Sequence, residues 1–169
     1  MDHKTTITEL HNNLDVFRQL LENVTAPDIY WSQGPEKWCL LEIVCHLHDE
    51  EIDDFRTRVR CVLEDPAKPP PSFNPLAWVK NRNYRGQNYH DMLTRFLNER
   101  KYSIQWLRSL KMPKWENTYQ HPKLGPMSAG LFLTNWLAHD FLHIRQITRL
   151  KYDYLKTTSG INLDYAGKW

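Results

Sequence analysis

The chain has 169 residues, of which 41% are hydrophobic and 25% charged, with a formal net charge of +2. That length suits one well-buried domain (1–169) and not two, and the near-balanced charge speaks against partners such as nucleic acid or an anionic membrane. The opening MDHKTTITEL has no apolar run of the signal-peptide kind, and no window reaches the ~18 apolar residues of a membrane span, so a cytoplasmic protein is expected.

The first helical pattern follows Thr6-Ile7-Thr8-Glu9, whose Thr and Glu have capping-box spacing. Its apolar stripe is Ile7, Leu10, Leu14, Phe17, Leu21 and Val24, in steps of three and four. Pro27 and the segment WSQGPEKW form a connection. A second helix is expected from about Trp38 to Glu64, with Ile52, Phe55, Val59 and Val62 at helical spacing. Cys39, Cys45 and Cys61 all fall within it. Their odd number and spacing match neither a disulfide framework nor a zinc knuckle, so they read as buried or half-buried thiols in a reducing compartment. DPAKPPPSFNP then stops the helix, since its five prolines cannot sit in a helix interior. PLAWVKNRNYRGQ returns from it as a short helical turn or lid.

The third helix is expected from about Asn88 to Lys111, on Leu93, Phe96, Leu97, Ile104, Leu107 and Leu110. Arg100 interrupts that stripe; it can bind an acidic substrate group or, more ordinarily, form an interhelical salt bridge. WENTYQHPKLGP reads as a loop, and the fourth helix runs from about Ser128 to Leu155. No segment reads as a strand. Four long amphipathic helices imply an all-α fold, a four-helix bundle.

On the fourth helix Phe132, Trp136, His139, His143, Gln146 and Leu150 form a heptad-like seam, apolar at its ends and polar in its middle. Two imidazoles one turn apart on an interior face can reach a single metal ion. The alternative is a pair of core histidines bonded to neighbours. A third ligand has to come from another helix, and His46 and His48 in CHLHDEE are both candidates. His48 continues the stripe Leu41, Cys45, Ile52, Phe55, whereas His46 aligns with Ile43, Glu50 and Asp53, so periodicity leaves the pair open. HDFLH departs from the HExxH zinc-protease motif, with Asp140 one methylene shorter than the required Glu and no downstream ligand signature.

The segments Trp38-Cys-Leu-Leu-Glu-Ile-Val-Cys-His46-Leu47 and Leu137-Ala-His139-Asp-Phe-Leu-His143-Ile-Arg-Gln146-Ile147, with HPKLGPMSAG leading into the latter, resemble the DinB/YfiT-like superfamily. The resemblance spans roughly Trp31 to Leu150. It implies a bundle of up-down-down-up order with a long connection between helices two and three, and a metal site of His46, His139 and His143. It also implies a homodimer, and activities that include metal-dependent thiol transferases and isomerases.

Three neutral imidazoles leave a divalent ion an open position, as in a catalytic site. The expected function is therefore a transferase-like activity that joins a low-molecular-weight thiol to an electrophilic small molecule, with zinc or nickel as cofactor and iron or manganese as the other ions. A metal-dependent hydrolase of the same fold and a non-enzymatic metal- or ligand-binding stress protein are the alternatives. Gln146 can orient a ligand or contact substrate. Glu50 reads either as an acceptor for an imidazole N–H or as a solvated carboxylate, and Cys45 as a packing residue.

Overall fold

Asp2 starts the first helix. In this computed structural model, which describes residues 2–167, the Asp2 carboxylate accepts a hydrogen bond from the Thr5 N–H at 2.8 Å, and α1 spans His3–Leu21. The expected cap at Thr6 is displaced: Thr6 lies inside the first turns, its hydroxyl donating back to the Asp2 carbonyl at 3.1 Å. A short helix, α2 (Ala26–Tyr30), follows, its start held by Asp28 accepting from the Thr25 N–H at 2.8 Å.

The second long helix is composite. α3 (Leu40–Asp49) passes into a π-helical stretch, Glu50–Arg56, and then into α4 (Thr57–Glu64). The Glu42 carboxylate accepts from the Cys39 N–H at 3.0 Å and fixes the beginning, while the Thr57 hydroxyl donates five residues back, to the Ile52 carbonyl, at 2.7 Å. The proline-rich connection ends in α5 (Pro75–Asn81), where the Asn74 side chain accepts from the Ala77 N–H, and in a 3₁₀ turn at Tyr84–Gly86. α6 covers Tyr89–Ser109 with Asn88 as its cap. The segment read as a loop holds an antiparallel hairpin, β1 (Thr118–His121) against β2 (Gly125–Ser128). Strands of four residues are too short for alternation to register, and the hairpin closes at Gly125, whose φ of +75° suits glycine. α7 (Ala129–Ser159) is capped by the Ser128 hydroxyl and ends at Gly160, with φ of +64°.

Paired contacts give the helix directions. Tyr89 donates to the Leu21 carbonyl and Arg100 to that of Leu10, so α1 and α6 run antiparallel. Asn13 reaches Asp140 and Lys151 the Leu20 carbonyl, so α1 and α7 run parallel. Glu51 meets Arg100 and Arg56 meets Ser103, which makes the second long helix parallel to α6. His46 meets His143 and Phe55 meets Trp136, which makes it antiparallel to α7. No helix among the described residues is long and apolar enough to cross a membrane.

Two apolar clusters fill the ends of the bundle. One gathers Phe17, Leu41, Ile43 and Phe96, the other Leu10, Val59, Leu107 and Leu133. Each fully buried Leu or Phe contributes about 1.5–3 kcal/mol. Between the clusters lies a polar layer. Arg100, fully enclosed, donates Nη1 and Nη2 to the two oxygens of Asp140 at 2.6 and 2.7 Å and Nε to Glu51 at 2.9 Å. Trp136 Nε1 donates to the same Glu51 oxygen at 3.1 Å, and Asn13 donates to Asp140 at 3.2 Å. Thus Arg100 forms the interhelical ion pair, and the layer ties α1, α6, α7 and the π-helical stretch together.

Candidate metal centre

The apolar seam of α7 turns its polar middle toward α3. Successive steps of four place His139 and His143 one above the other, with ring centroids 4.3 Å apart. His46, on the last turn of α3, faces both, at centroid distances of 5.4 Å to His139 and 4.9 Å to His143. His139 Nε2 lies 3.3 Å from His46 Nε2 and 3.1 Å from His143 Nε2. Ligand atoms of all three fall within 4.8 Å of one another. Trp38 stacks obliquely on His46 at 4.8 Å and Phe55 on His139 at 4.9 Å, so aromatic faces wall the cluster on two sides.

Burial sets the charge of the cluster. It pushes His46 down to about 3 and His139 down to about 2, with the charge of His143 acting in the same direction, and it lowers His143 as well. Three neutral imidazoles with converging ring nitrogens are a donor set for a divalent ion. The fit can be checked by distance. Nitrogens bound tetrahedrally at 2.0–2.1 Å sit about 3.3–3.4 Å apart, close to the His139 separations from His46 and His143, while the third pair lies within 4.8 Å. The outer nitrogens are less well served. Nδ1 of His46 and of His143 is buried with no hydrogen-bond partner, and Glu50 Oε1 stands 3.9 Å from Nδ1 of His46.

His48 goes elsewhere: its Nδ1 lies 3.0 Å from Asp49 Oδ1, beside the Tyr84 hydroxyl and Arg82 on the same carboxylate. Glu50 is not a solvated carboxylate; it is buried beside Asp54, and burial pushes its carboxyl well above the usual range. Cys45 is fully buried, and burial pushes its thiol up to about 12, which suits packing and not nucleophilic attack.

Two clefts reach the cluster from opposite sides of Leu142, which lines both. The cleft on the His143 side, about 810 Å³, is lined by Trp38, Gln33, Gln146, Lys37 and Arg145, and closed at one end by Asp153, which accepts from Arg149 and Gln33. Gln146 therefore stands one turn from His143 on the wall of an open cleft. The cleft on the His139 side, about 520 Å³, is lined by Phe55, Met127, Phe132 and Leu131, with Asp54 and Arg58 at one edge. Phe73 from the proline-rich connection and His121 from the hairpin complete it. Periodicity gave no signal for these last two, because they enter from segments without a helical repeat.

The family model of the DinB superfamily matches residues 9–147. The chain belongs to the DinB superfamily. No curated protein matches it. Among solved structures, YfiT from Bacillus subtilis, described as a probable metal-dependent hydrolase with an unusual four-helix bundle topology, superposes with a TM-score of 0.77 at 17% identity, covering 95% of this chain and 89% of that one. At that identity the likeness is one of fold, and this DinB-superfamily chain shares the four-helix bundle of YfiT.

Proposed function

We propose that this DinB-superfamily protein is a metal-dependent enzyme that joins a low-molecular-weight thiol to an electrophilic small molecule, with His46, His139 and His143 as metal ligands. The observation that carries this reading is the meeting of two clefts of unlike chemistry at three neutral imidazoles. Two entrances to one centre suit a transfer between two molecules, whereas hydrolysis needs room for one substrate and water. Zinc or nickel suits three imidazoles, with iron and manganese as the other ions of this donor class. The ion would supply Lewis acidity, lowering the pKa of a thiol or a water beside it.

The chain's own residues do the rest. Lys37 and Arg145 give the larger cleft a positive rim, which draws in a thiol bearing carboxylate or phosphate. Gln146 offers both a donor and an acceptor beside His143, enough to orient such a molecule. Trp38 and Phe55 exclude water from two sides of the imidazoles. In the reaction the S–H proton leaves to solvent and the sulfur pair forms a new C–S bond. The leaving group departs with the electrons of its bond to carbon; where the electrophile is a strained ring, that pair stays on the opened product.

Hydrolysis is the second reading, favoured by the likeness of fold to YfiT and its description. Metal content by elemental analysis, after reconstitution with zinc or nickel, tests the common part. One ion per chain is expected for the parent and for His48→Ala, and loss of it for His46→Ala and His143→Ala; an empty parent overturns the reading. Loaded protein is then given 1-chloro-2,4-dinitrobenzene with cysteine or 3-mercaptopropionate, and, separately, p-nitrophenyl acetate without thiol. Turnover of the second alone moves the assignment to a hydrolase.

A further inference from the structure

We propose that the cleft on the His139 side is the subsite of the second reactant, and that this reactant is an uncharged, largely apolar molecule with one oxygen that accepts a hydrogen bond. This rests on the thiol-transfer reading of the same centre.

The lining is apolar along most of its length, with Phe55, Phe132, Met127, Leu131 and Leu142 around Ala138. At about 520 Å³ it falls within the 300–1,000 Å³ range of small-molecule sites and admits a two-ring aromatic or a branched alkyl body. Its charges cancel locally. Arg58 donates through Nε to Asp54, and its guanidinium lies over Phe73 at 4.5 Å and Phe132 at 5.6 Å. An entering anion meets the Asp54 carboxylate beside that cation, and an entering cation meets the guanidinium beside the carboxylate, so neither gains a net attraction. The other cleft differs: Lys37 and Arg145 have no carboxylate partner there among the described residues.

Two neutral polar groups stand in this lining. His121 Nδ1 accepts from the backbone N–H groups of Lys123 and Leu124 at 3.1 and 3.0 Å. The ring hydrogen is therefore on Nε2, which is left to donate. Asn135 donates its amide to the Leu131 carbonyl at 2.9 Å, which leaves the amide oxygen as an acceptor. The His121 donor and the lack of net charge fit a ketone, ether or epoxide oxygen on an apolar frame, with the exposed Asn135 oxygen left to solvent, and penalise a carboxylate, which would lose its hydration without a cation to replace it. His139 forms part of the same lining, so a molecule seated here is beside the three imidazoles.

The test uses 4-fluoro-1-acetonaphthone, a neutral ketone, as the uncharged probe and 4-fluoro-1-naphthoate as the charged one, read by fluorine NMR on zinc-loaded and on cobalt-loaded protein. Cobalt should broaden the bound neutral probe and zinc should not, and the naphthoate should bind at least tenfold more weakly. Ala138 is an exposed small residue of this lining, so Ala138→Trp fills the cleft without disturbing the core. That variant should lose the broadening while its cobalt absorption spectrum stays as in the parent. Cobalt uptake with no broadening, equal broadening in Ala138→Trp, or naphthoate binding as tight as the neutral probe overturns the subsite. Failure to take up cobalt is a different result, seen in the absorption spectrum, and removes the metal centre together with the subsite that depends on it.

Discussion

Arg100 is the residue whose loss should be felt most. Its guanidinium is fully enclosed and faces two carboxylates, Asp140 through a two-oxygen fork and Glu51 through Nε. Arg100→Met keeps most of the volume but leaves those carboxylates buried without their cation. Removing one partner from a buried ion pair costs about 3–5 kcal/mol. At roughly 2–4 °C per kcal/mol for a chain of this size, the melting midpoint should fall by about 6–20 °C. The penalty should also carry a pH signature. Burial raises the Glu51 carboxyl and the charge of Arg100 opposes that rise. Without Arg100 the folded-state pKa climbs further above the unfolded value, and the folded state holds more protons than the unfolded chain. Stability relative to the parent is then regained as pH falls toward the unfolded carboxyl range and lost as it rises. Urea unfolding of parent and variant at pH 5.5 and pH 8 reads both effects. A penalty below about 1 kcal/mol, or one equal at the two pH values, refutes the account of a buried layer held by Arg100.

The metal-free chain should lose stability in acid. Burial holds His46 and His139 from the ordinary imidazole value of 6.5 down to about 3 and about 2, so the unfolded state binds more protons than the folded one below pH 6.5. The urea midpoint should fall from pH 7 to pH 4, and fall less in a His46→Gln/His139→Gln double variant; a parent midpoint that stays level contradicts the burial of neutral rings. Gln146→Leu should leave metal content unchanged and weaken the binding of 3-mercaptopropionate by roughly 2–10-fold, the net worth of one neutral hydrogen bond. Calorimetric titration of the loaded protein measures it, and unchanged affinity places the thiol away from Gln146.

The long helices and the pairing of His139 with His143 were legible because they repeat a period that the chain keeps for many turns. The choice of His46 over His48 was not legible from period, and the π-helical stretch explains why. Counting back from Phe55 through Ile52 at 3.6 residues per turn arrives at His48. Yet Phe55 and His46, nine residues and two and a half ordinary turns apart, both contact the ring of His139. The wider turns of Glu50–Arg56 advance less per residue and bring both side chains toward one face. Only the resemblance of Trp38–Leu47 to the family pattern pointed to His46. The hairpin, the lining from Phe73 and His121, and the cap at Asp2 were missed for a simpler reason: each depends on a few residues whose partners are far along the chain or too few to form a pattern.

The π-helical stretch also changes which mutations the centre is sensitive to. A π turn is an ordinary helix that has accommodated one additional residue, so its loss needs a deletion, not a substitution. Removing one residue between Glu50 and Arg56 would let the second long helix close into a regular spiral, at little cost to its backbone hydrogen bonding. His46 and Phe55 would then stand eight residues apart, about 80° from one another on an ordinary helix, so both would still face α7. One residue inserted in α3 after His46, with no wide turn to absorb it, would instead rotate His46 by about 100°, away from His139 and His143. The spacing of the histidines along the chain and the width of these turns are thus fixed together.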